Sequence, residues 1–242
     1  MTYNVHSFIG TDGVYDPERI ARVIALGAAD VVALQEVDFG RGQRGQPAAI
    51  EGLAARLGMR CHFTHTREGR HGQFGNAVLS AHQFHLVAEG MLPRRRGEAR
   101  AVQWLQVVAP GFELQLLNTH LSINWRERGA QISALLGAEW MVQAAQRHPL
   151  VVCGDFNSSP LSGVYRALGR ELRDVQRCGP RCSATWPAVM PFWRIDHIFV
   201  SPSFSVLHSG VLRQGLSRTA SDHLPLLADL SLDSGAPAWP AS

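Results

Sequence analysis

Pro149-Leu150-Val151-Val152-Cys153-Gly154-Asp155-Phe156-Asn157 carries the pattern on which the fold turns. Residues 149–153 read as a buried strand, which then breaks into Gly-Asp-Phe-Asn, where a carboxylate and an amide replace apolar side chains. Residues 30–37, Asp-Val-Val-Ala-Leu-Gln-Glu-Val, repeat the pattern: a nearly continuous apolar run that ends in Gln35-Glu36.

Outward from these two strands, helix and strand signals alternate. Asp16-Pro17 is an N-cap followed by proline at the first helical position; Ile20, Val23 and Ile24 form an apolar face, and Gly27 a stop. Residues 47–57 predict a second helix, with Ile50, Leu53, Ala54 and Leu57 on one face. Strands are expected over 60–65, 74–80 and 84–89, then a hairpin of 101–108 and 112–118 around Ala109-Pro110-Gly111. The longest helix candidate lies between Asn124 and Arg147, striped by Ile132, Leu135, Leu136 and Trp140. Ser159-Pro160 opens a short helix ending near Gly169, and strands over 194–200, 204–212 and 225–231 complete the set. The Pro- and aromatic-rich segment 178–193 reads as a loop over something. The expected organisation is one α/β (α+β) domain over 1–233, with several antiparallel strands, helices outside and a flexible tail at 234–242.

Composition narrows the class. At 242 residues the chain can bury roughly 70% of its unfolded surface, so it needs no metal or disulfide staple to fold. With 45% hydrophobic and 18% charged residues it is globular rather than disordered, and no apolar run reaches the roughly 18 residues of a membrane span. A formal charge of +3 is too small to argue by itself for nucleic acid. All 23 basic residues are arginine, which fits a coding bias. Cys61 and Cys153 sit in apolar strand-like stretches as fillers. Cys178 and Cys182 form C-x3-C without a second pair at zinc spacing, leaving a loop disulfide or two free thiols. Met1-Thr2-Tyr3-Asn4 has no signal-peptide pattern, so a cytoplasmic protein is expected.

The informative feature is where apolar strands end in polar residues. Tyr3-Asn4-Val5-His6, Leu34-Gln35-Glu36-Val37, Gly75-Asn76-Ala77, Leu117-Asn118-Thr119-His120-Leu121, Gly154-Asp155-Phe156-Asn157, Arg194-Ile195-Asp196-His197 and Ser221-Asp222-His223-Leu224-Pro225 all do so. Singly, each has an ordinary explanation: a strand-end Asp is a turn former or cap, a lone His a satisfied core residue. Together they place several carboxylates and imidazoles in apolar surroundings, where each costs several kcal/mol unless paired or bound to a cation. A divalent cation is the simplest compensation.

This ordered set resembles the endonuclease/exonuclease/phosphatase family of Mg2+-dependent phosphohydrolases, and the likeness runs from Tyr3-Asn4 to Asp222-His223-Leu224-Pro225. The resemblance implies a four-layer, DNase I-like sandwich: two packed, mostly antiparallel β-sheets flanked by helices. It implies Mg2+, with Mn2+ as a substitute, at Glu36, with Asn4 and Asp222 bound to the ion or to its waters. It implies His223 at the scissile phosphate, oriented by Asp196. Asp155 is the other candidate base, Asn157 a donor to the phosphate, and His120 a contact for a phosphate oxygen or the leaving group. Asn76 would support the constellation. Glu98-Ala99-Arg100 is similar to an E-P-R-like segment of small bacterial members, with Ala in place of Pro; Arg100 either points at substrate or forms a salt bridge. Arg126 and Arg128 either face an anionic substrate or lie on a solvated helix face. The first strand is short for the family, with only Met1-Thr2-Tyr3 before its Asn, so either the strand is truncated or the start lies upstream.

The expected reaction is metal-dependent hydrolysis of a phosphate ester, of phosphodiesterase or nuclease type, by an in-line water. The alternatives are a phospholipid or inositol-phosphate hydrolase of the same superfamily, and a nucleic-acid-binding module with vestigial catalysis. Arg94-Arg95-Arg96, with Arg41, Arg44, Arg67 and Arg70, could line a rim suited to any polyanion, or be scattered surface charge. Trp186, Phe192 and Trp193 could stack a base, touch lipid or cap the core. A monomer without stable membrane insertion or an evident protein partner is expected.

Overall fold

The computed structural model describes residues 1–39, 48–69, 72–147, 149–177 and 184–233. Among the described residues twelve strands form, in chain order: β1 (Thr2–Asn4), β2 (Val31–Asp38), β3 (Arg60–Gly69), β4 (Gly72–Ser80), β5 (Gln83–Met91), β6 (Ala101–Ala109), β7 (Phe112–His120), β8 (Leu150–Asp155), β9 (Arg173–Asp174), β10 (Asp196–Val200), β11 (Phe204–Val211) and β12 (Leu226–Leu232). One six-stranded sheet has the order β11-β12-β1-β2-β4-β3, the other β5-β6-β7-β8-β10-β9. Both are mostly antiparallel, and each keeps one parallel pair at its middle, β1 with β2 and β7 with β8. The expected two-sheet architecture with flanking helices is therefore present, with the two-residue β9 as an addition that no sequence period announces.

Strand alternation builds the layers. Val32 and Leu34 point outward and pack under helices α1 (Pro17–Gly27) and α2 (Ala49–Leu57) with Ile20, Ile24, Ile50 and Leu53. Ala33, between them, points inward to a second core shared by the sheets, with Val78, Leu105, Leu116, Val151, Cys153 and Ile198. The other outer layer joins Trp104, Leu117, Val152 and Phe199 to α3 (Trp125–Leu135), α4 (Gln143–Gln146) and α5 (Gly163–Glu171). The short α6 (Ser217–Ala220) precedes the last strand.

Helix boundaries follow local chemistry. Asp16 caps α1 by accepting from the Arg19 amide at 3.2 Å, with Pro17 just inside. Its left-handed stop is Ala28 rather than Gly27, which is the last residue of the helix. The single helix expected between 124 and 147 is interrupted. Asn124 is its cap, α3 stops at Leu135, and the chain becomes extended at Gly137, where glycine weakens a helix. A π-helical turn, Ala138–Val142, then rejoins α4 and still delivers Trp140 to the core. Ser159-Pro160 forms a turn before α5, whose cap is Ser162. Cys178 and Cys182, the arginines at 41, 44 and 70, and the tail 234–242 lie outside the described residues.

Toward one edge the inter-sheet layer becomes polar. Gln35 Nε2 donates to Asn118 Oδ1 at 2.8 Å, and Asn118 Nδ2 donates to Gln103 Oε1 at 2.8 Å and to Leu34 and Ala77 carbonyls at 3.2 Å. Asn76 Nδ2 reaches across to the Ala101 carbonyl at 3.3 Å. These amides stitch the sheets together directly beneath the strand ends that carry the acidic residues.

Gly154 lets those ends converge. Its φ is +145°, and a Cβ there would stand 1.8 Å from the Thr119 carbonyl oxygen of β7. Gly154→Ala is expected to destabilise the protein by on the order of 4 kcal/mol or more, whereas Gly163→Ala, with open space around it, should stay within about 0.5 kcal/mol. Equilibrium urea unfolding compares them, and equal stabilities would refute this account of the β7–β8 approach.

Candidate active site

The site starts from a defect in β2. The β2–β4 register shifts between Leu34 and Val37, and Glu36 in that bulge has a left-handed φ of 56°. A bulge re-aims one side chain out of strand alternation; here the Glu36 carboxylate turns to the end of neighbouring β1. Asn4 Nδ2 donates to Glu36 Oε1 at 3.0 Å and to Asp155 Oδ2 at 3.0 Å. One amide thus joins a carboxylate of the first sheet to one of the second.

Strand register assembles the remainder. His120 lies opposite Asp155 in the β7–β8 ladder, and Asp196 opposite Asp155 in the β10–β8 ladder. His120 Nε2 is 3.5 Å from Asp155 Oδ2 and 3.9 Å from Glu36 Oε1. Buried Arg100 places Nη1 3.0 Å from His120 Nδ1. A guanidinium has no lone pair to offer, so Nδ1 is the accepting nitrogen and the neutral ring carries its proton on Nε2, toward the carboxylates. Burial, then the positive charges of Arg100 and His223, hold His120 well below the usual imidazole range. Asn157, itself at a left-handed φ of 47°, donates its side-chain amide to the Leu121 carbonyl at 2.9 Å and its backbone amide to Asp155 Oδ1 at 2.9 Å. Its Nδ2 stands 3.1 Å from His120 Nε2 and cannot bond that ring N–H, since the charged Arg100 has the stronger claim on the single lone pair of the neutral ring.

His223 is the opposite case. Its Nδ1 donates to Asp196 Oδ2 at 2.9 Å and its Nε2 lies 3.7 Å from Asp155 Oδ2. Burial alone would push this imidazole down, but Asp196 and Asp155 outweigh it and raise His223 above its usual range. Asp155 is raised by burial and then by Asp196, with His223 opposing. The cluster therefore holds an imidazolium, a neutral imidazole and three carboxylates. Glu36, His120 and Asp155 form one group, and Asp155, Asp196 and His223 another, each with potential ligand atoms within 4.8 Å of one another. Asp196 Oδ1 is buried without a hydrogen-bond partner. A hard divalent cation fits this excess of anionic oxygen.

Comparison with known proteins decides the lineage. The model of the endonuclease/exonuclease/phosphatase family matches residues 1–223. The chain belongs to that family. It is 29% identical over 171 residues to the uncharacterized protein YbhP of Escherichia coli K12, covering 66% of this chain and 64% of that protein's length. An endonuclease/exonuclease/phosphatase from Beutenbergia cavernae superimposes with a TM-score of 0.75 at 25% identity, over 98% of this chain and 71% of that one. The Bacteroides thetaiotaomicron mannosyl-6-phosphatase Bt3783 does so at 0.77 and 22% identity, over 96% and 98%, a likeness of fold.

Not every residue that the family resemblance nominated joins the cluster. Asn4 is present, but its Oδ1 accepts from the His6 amide at 3.0 Å, so it offers the carboxylates N–H rather than a ligand oxygen. Asp222 belongs to neither ligand group among the described residues; Oδ2 accepts from Trp186 Nε1 at 3.1 Å, and Oδ1 lies 3.8 Å from His6 Nδ1. Asn76 works in the inter-sheet network. Arg126 is exposed and stacks 5.1 Å over the Trp125 ring, on the solvated face. Arg100 is drawn inside, with Nη2 also 3.3 Å from Glu98.

Two features escaped sequence reasoning. His6, Ser7 and Phe8 take successive left-handed φ values of 43°, 56° and 60° with no glycine to signal it, making a tight turn just after β1. Glu127, to all appearance an ordinary helix charge, is buried and accepts on Oε1 from the amides of Arg95, Arg96 and Gly97 at 3.1, 2.8 and 2.9 Å. Those bonds hold its carboxyl down at about 2.

His197, one residue from Asp196, takes the other face of β10 and packs among Phe156, Tyr165 and Phe199, donating Nε2 to the Ser158 carbonyl at 2.7 Å. Burial, then Arg194, lowers it from 6.5 to about 4. The unfolded chain therefore takes up this proton first, so its stabilisation is whole above pH 6.5 and fades toward pH 4. His197→Gln should flatten the decline across that window by up to ~3 kcal/mol in urea titrations; parallel declines would overturn the assignment. For the site itself, Asp196→Asn should lower the His223 pKa by about one unit or more in metal-free protein, read by NMR of the ring protons.

Proposed function

We propose that the chain is a divalent-metal-dependent hydrolase of phosphate esters, acting on phosphodiesters with Mg2+ or, in its place, Mn2+. The observation that carries this reading is the convergence of Asn4, His120 and His223 on one oxygen, Asp155 Oδ2. Glu36 is the carboxylate that would hold the cation, beside Asp155; His120 would not, since Arg100 leaves it with a proton rather than a lone pair on Nε2. When bound, the cation neutralises phosphate charge and makes a bound water more acidic.

The chain's own groups supply the remaining requirements. Asp155, its proton affinity raised by burial, accepts the proton of the attacking water. His223, kept as imidazolium by Asp196, donates to a phosphate oxygen and stabilises charge developing there. His120 donates from Nε2 to the leaving oxygen or a second phosphate oxygen, its tautomer set by Arg100. Asn157 adds a donor beside it. Asn4 orients both carboxylates.

Hydrolysis of bis-p-nitrophenyl phosphate with Mg2+ or Mn2+ is the test. EDTA should abolish turnover, and Glu36→Ala, Asp155→Asn and His223→Ala should each lower kcat/KM by about 10^3-fold or more. Arg126→Ala should stay within about twofold of wild type, as expected of a solvated side chain. Chelator-resistant turnover, or full activity of His223→Ala, would sink the proposal.

A further inference from the structure

The catalytic edge of the second sheet is also where the molecule exposes its apolar side chains. The register brings four connections to this edge. Met91 pairs with Ala101 and Val102 with Thr119, so 92–100 emerges beside the end of β7; 121–124 follows His120, 156–162 follows Asp155, and 184–195 leads into Asp196. Eight of the thirteen exposed large hydrophobic side chains among the described residues lie there: Met91, Ile123, Trp125, Leu161, Val189, Met190, Phe192 and Trp193. Leu161 is 88% exposed, Ile123 78% and Met190 72%, so these are projecting tips rather than the margins of a core. The 184–193 segment is nonetheless anchored: the Ala188 amide donates to the Asp222 carbonyl at 2.7 Å and the Trp186 indole to its carboxylate.

Positive charge accompanies the tips. Arg94, Arg95 and Arg96 are exposed on the 92–100 connection, which Glu127 clamps by three backbone amides, and Arg126 lies over Trp125. Projecting aliphatic residues, tryptophans and arginines on one edge match a bilayer interface, where aliphatic tips enter the acyl boundary, indoles sit at headgroup depth and arginines meet anionic lipid. A single-stranded nucleic acid fits less well, because Ile123, Leu161, Val189 and Met190 have no ring on which a base can stack. No helix among the described residues is long and apolar enough to cross a membrane, and peripheral docking requires none.

We propose that this edge docks the protein peripherally on an anionic lipid bilayer, so that a lipid phosphoester headgroup is presented to the Asp155 cluster. The presentation of substrate rests on the hydrolase reading above; the docking does not.

Co-sedimentation of the full chain with vesicles tests it. Vesicles of mixed phosphatidylglycerol and phosphatidylcholine should bind the protein about tenfold or more tightly than phosphatidylcholine alone, with affinity falling as salt is raised. The variant combining Ile123→Asp, Leu161→Asp and Met190→Asp should lose that binding yet hydrolyse soluble bis-p-nitrophenyl phosphate at the wild-type rate. Vesicle binding without hydrolysis of the soluble ester would uphold docking and remove the hydrolase reading. Absence of wild-type binding to either vesicle, or undiminished binding by the triple variant, would overturn the proposal. So would a dimer that the triple variant dissociates, or salt-sensitive retention on single-stranded DNA in place of vesicle binding.

Discussion

Two carboxylates from different sheets, Glu36 and Asp155, share the two N–H bonds of one amide, that of Asn4. Like charges so placed repel, and the burial of Asp155 removes water that would screen it from the half-buried Glu36. The sheets can hold them close because the amides beneath, Gln35, Asn76, Gln103 and Asn118, bind the two layers to each other before the strands end. Apolar packing farther down, around Ala33, Leu105 and Val151, sets the separation of the sheets. The site is thus the polar end of the same interface whose apolar end stabilises the fold.

The two histidines show how environment divides roles between identical side chains. Both are buried beside Asp155, yet His223 faces a second carboxylate and His120 a guanidinium. The first is thereby a cation and the second a neutral donor, a difference that depends on Asp196 and Arg100 and not on either ring. Arg100 is in this respect a positioning residue: the buried charge selects a tautomer.

Much of this was legible in the sequence, for physical reasons. β2 and β8 were readable as buried strands because their apolar runs are nearly continuous, and the polar breaks at Glu36, His120, Asp155, Asp196 and His223 stood out against apolar runs. What could not be read depends on partners distant along the chain. The donor atom that Asn4 presents is set by the His6 amide, which occupies its oxygen, and the left-handed turn that follows at His6–Phe8 lacks glycine. The break at Gly137 hides in an otherwise continuous helical stripe, since the π-turn restores Trp140 to its face. Glu127 looks like a solvated helix charge until the 92–100 connection is folded onto it, and Arg126 beside it looks like a substrate ligand until the helix axis is known.

The clamp at Glu127 has a consequence for how such a protein can diversify. Its three bonds are made to backbone amides, which every residue except proline possesses. The side chains at positions 94–96 are therefore free to be exchanged without loosening the connection that displays them. Recognition at the rim and stability of the scaffold are encoded by separate atoms, so one can drift while the other is preserved.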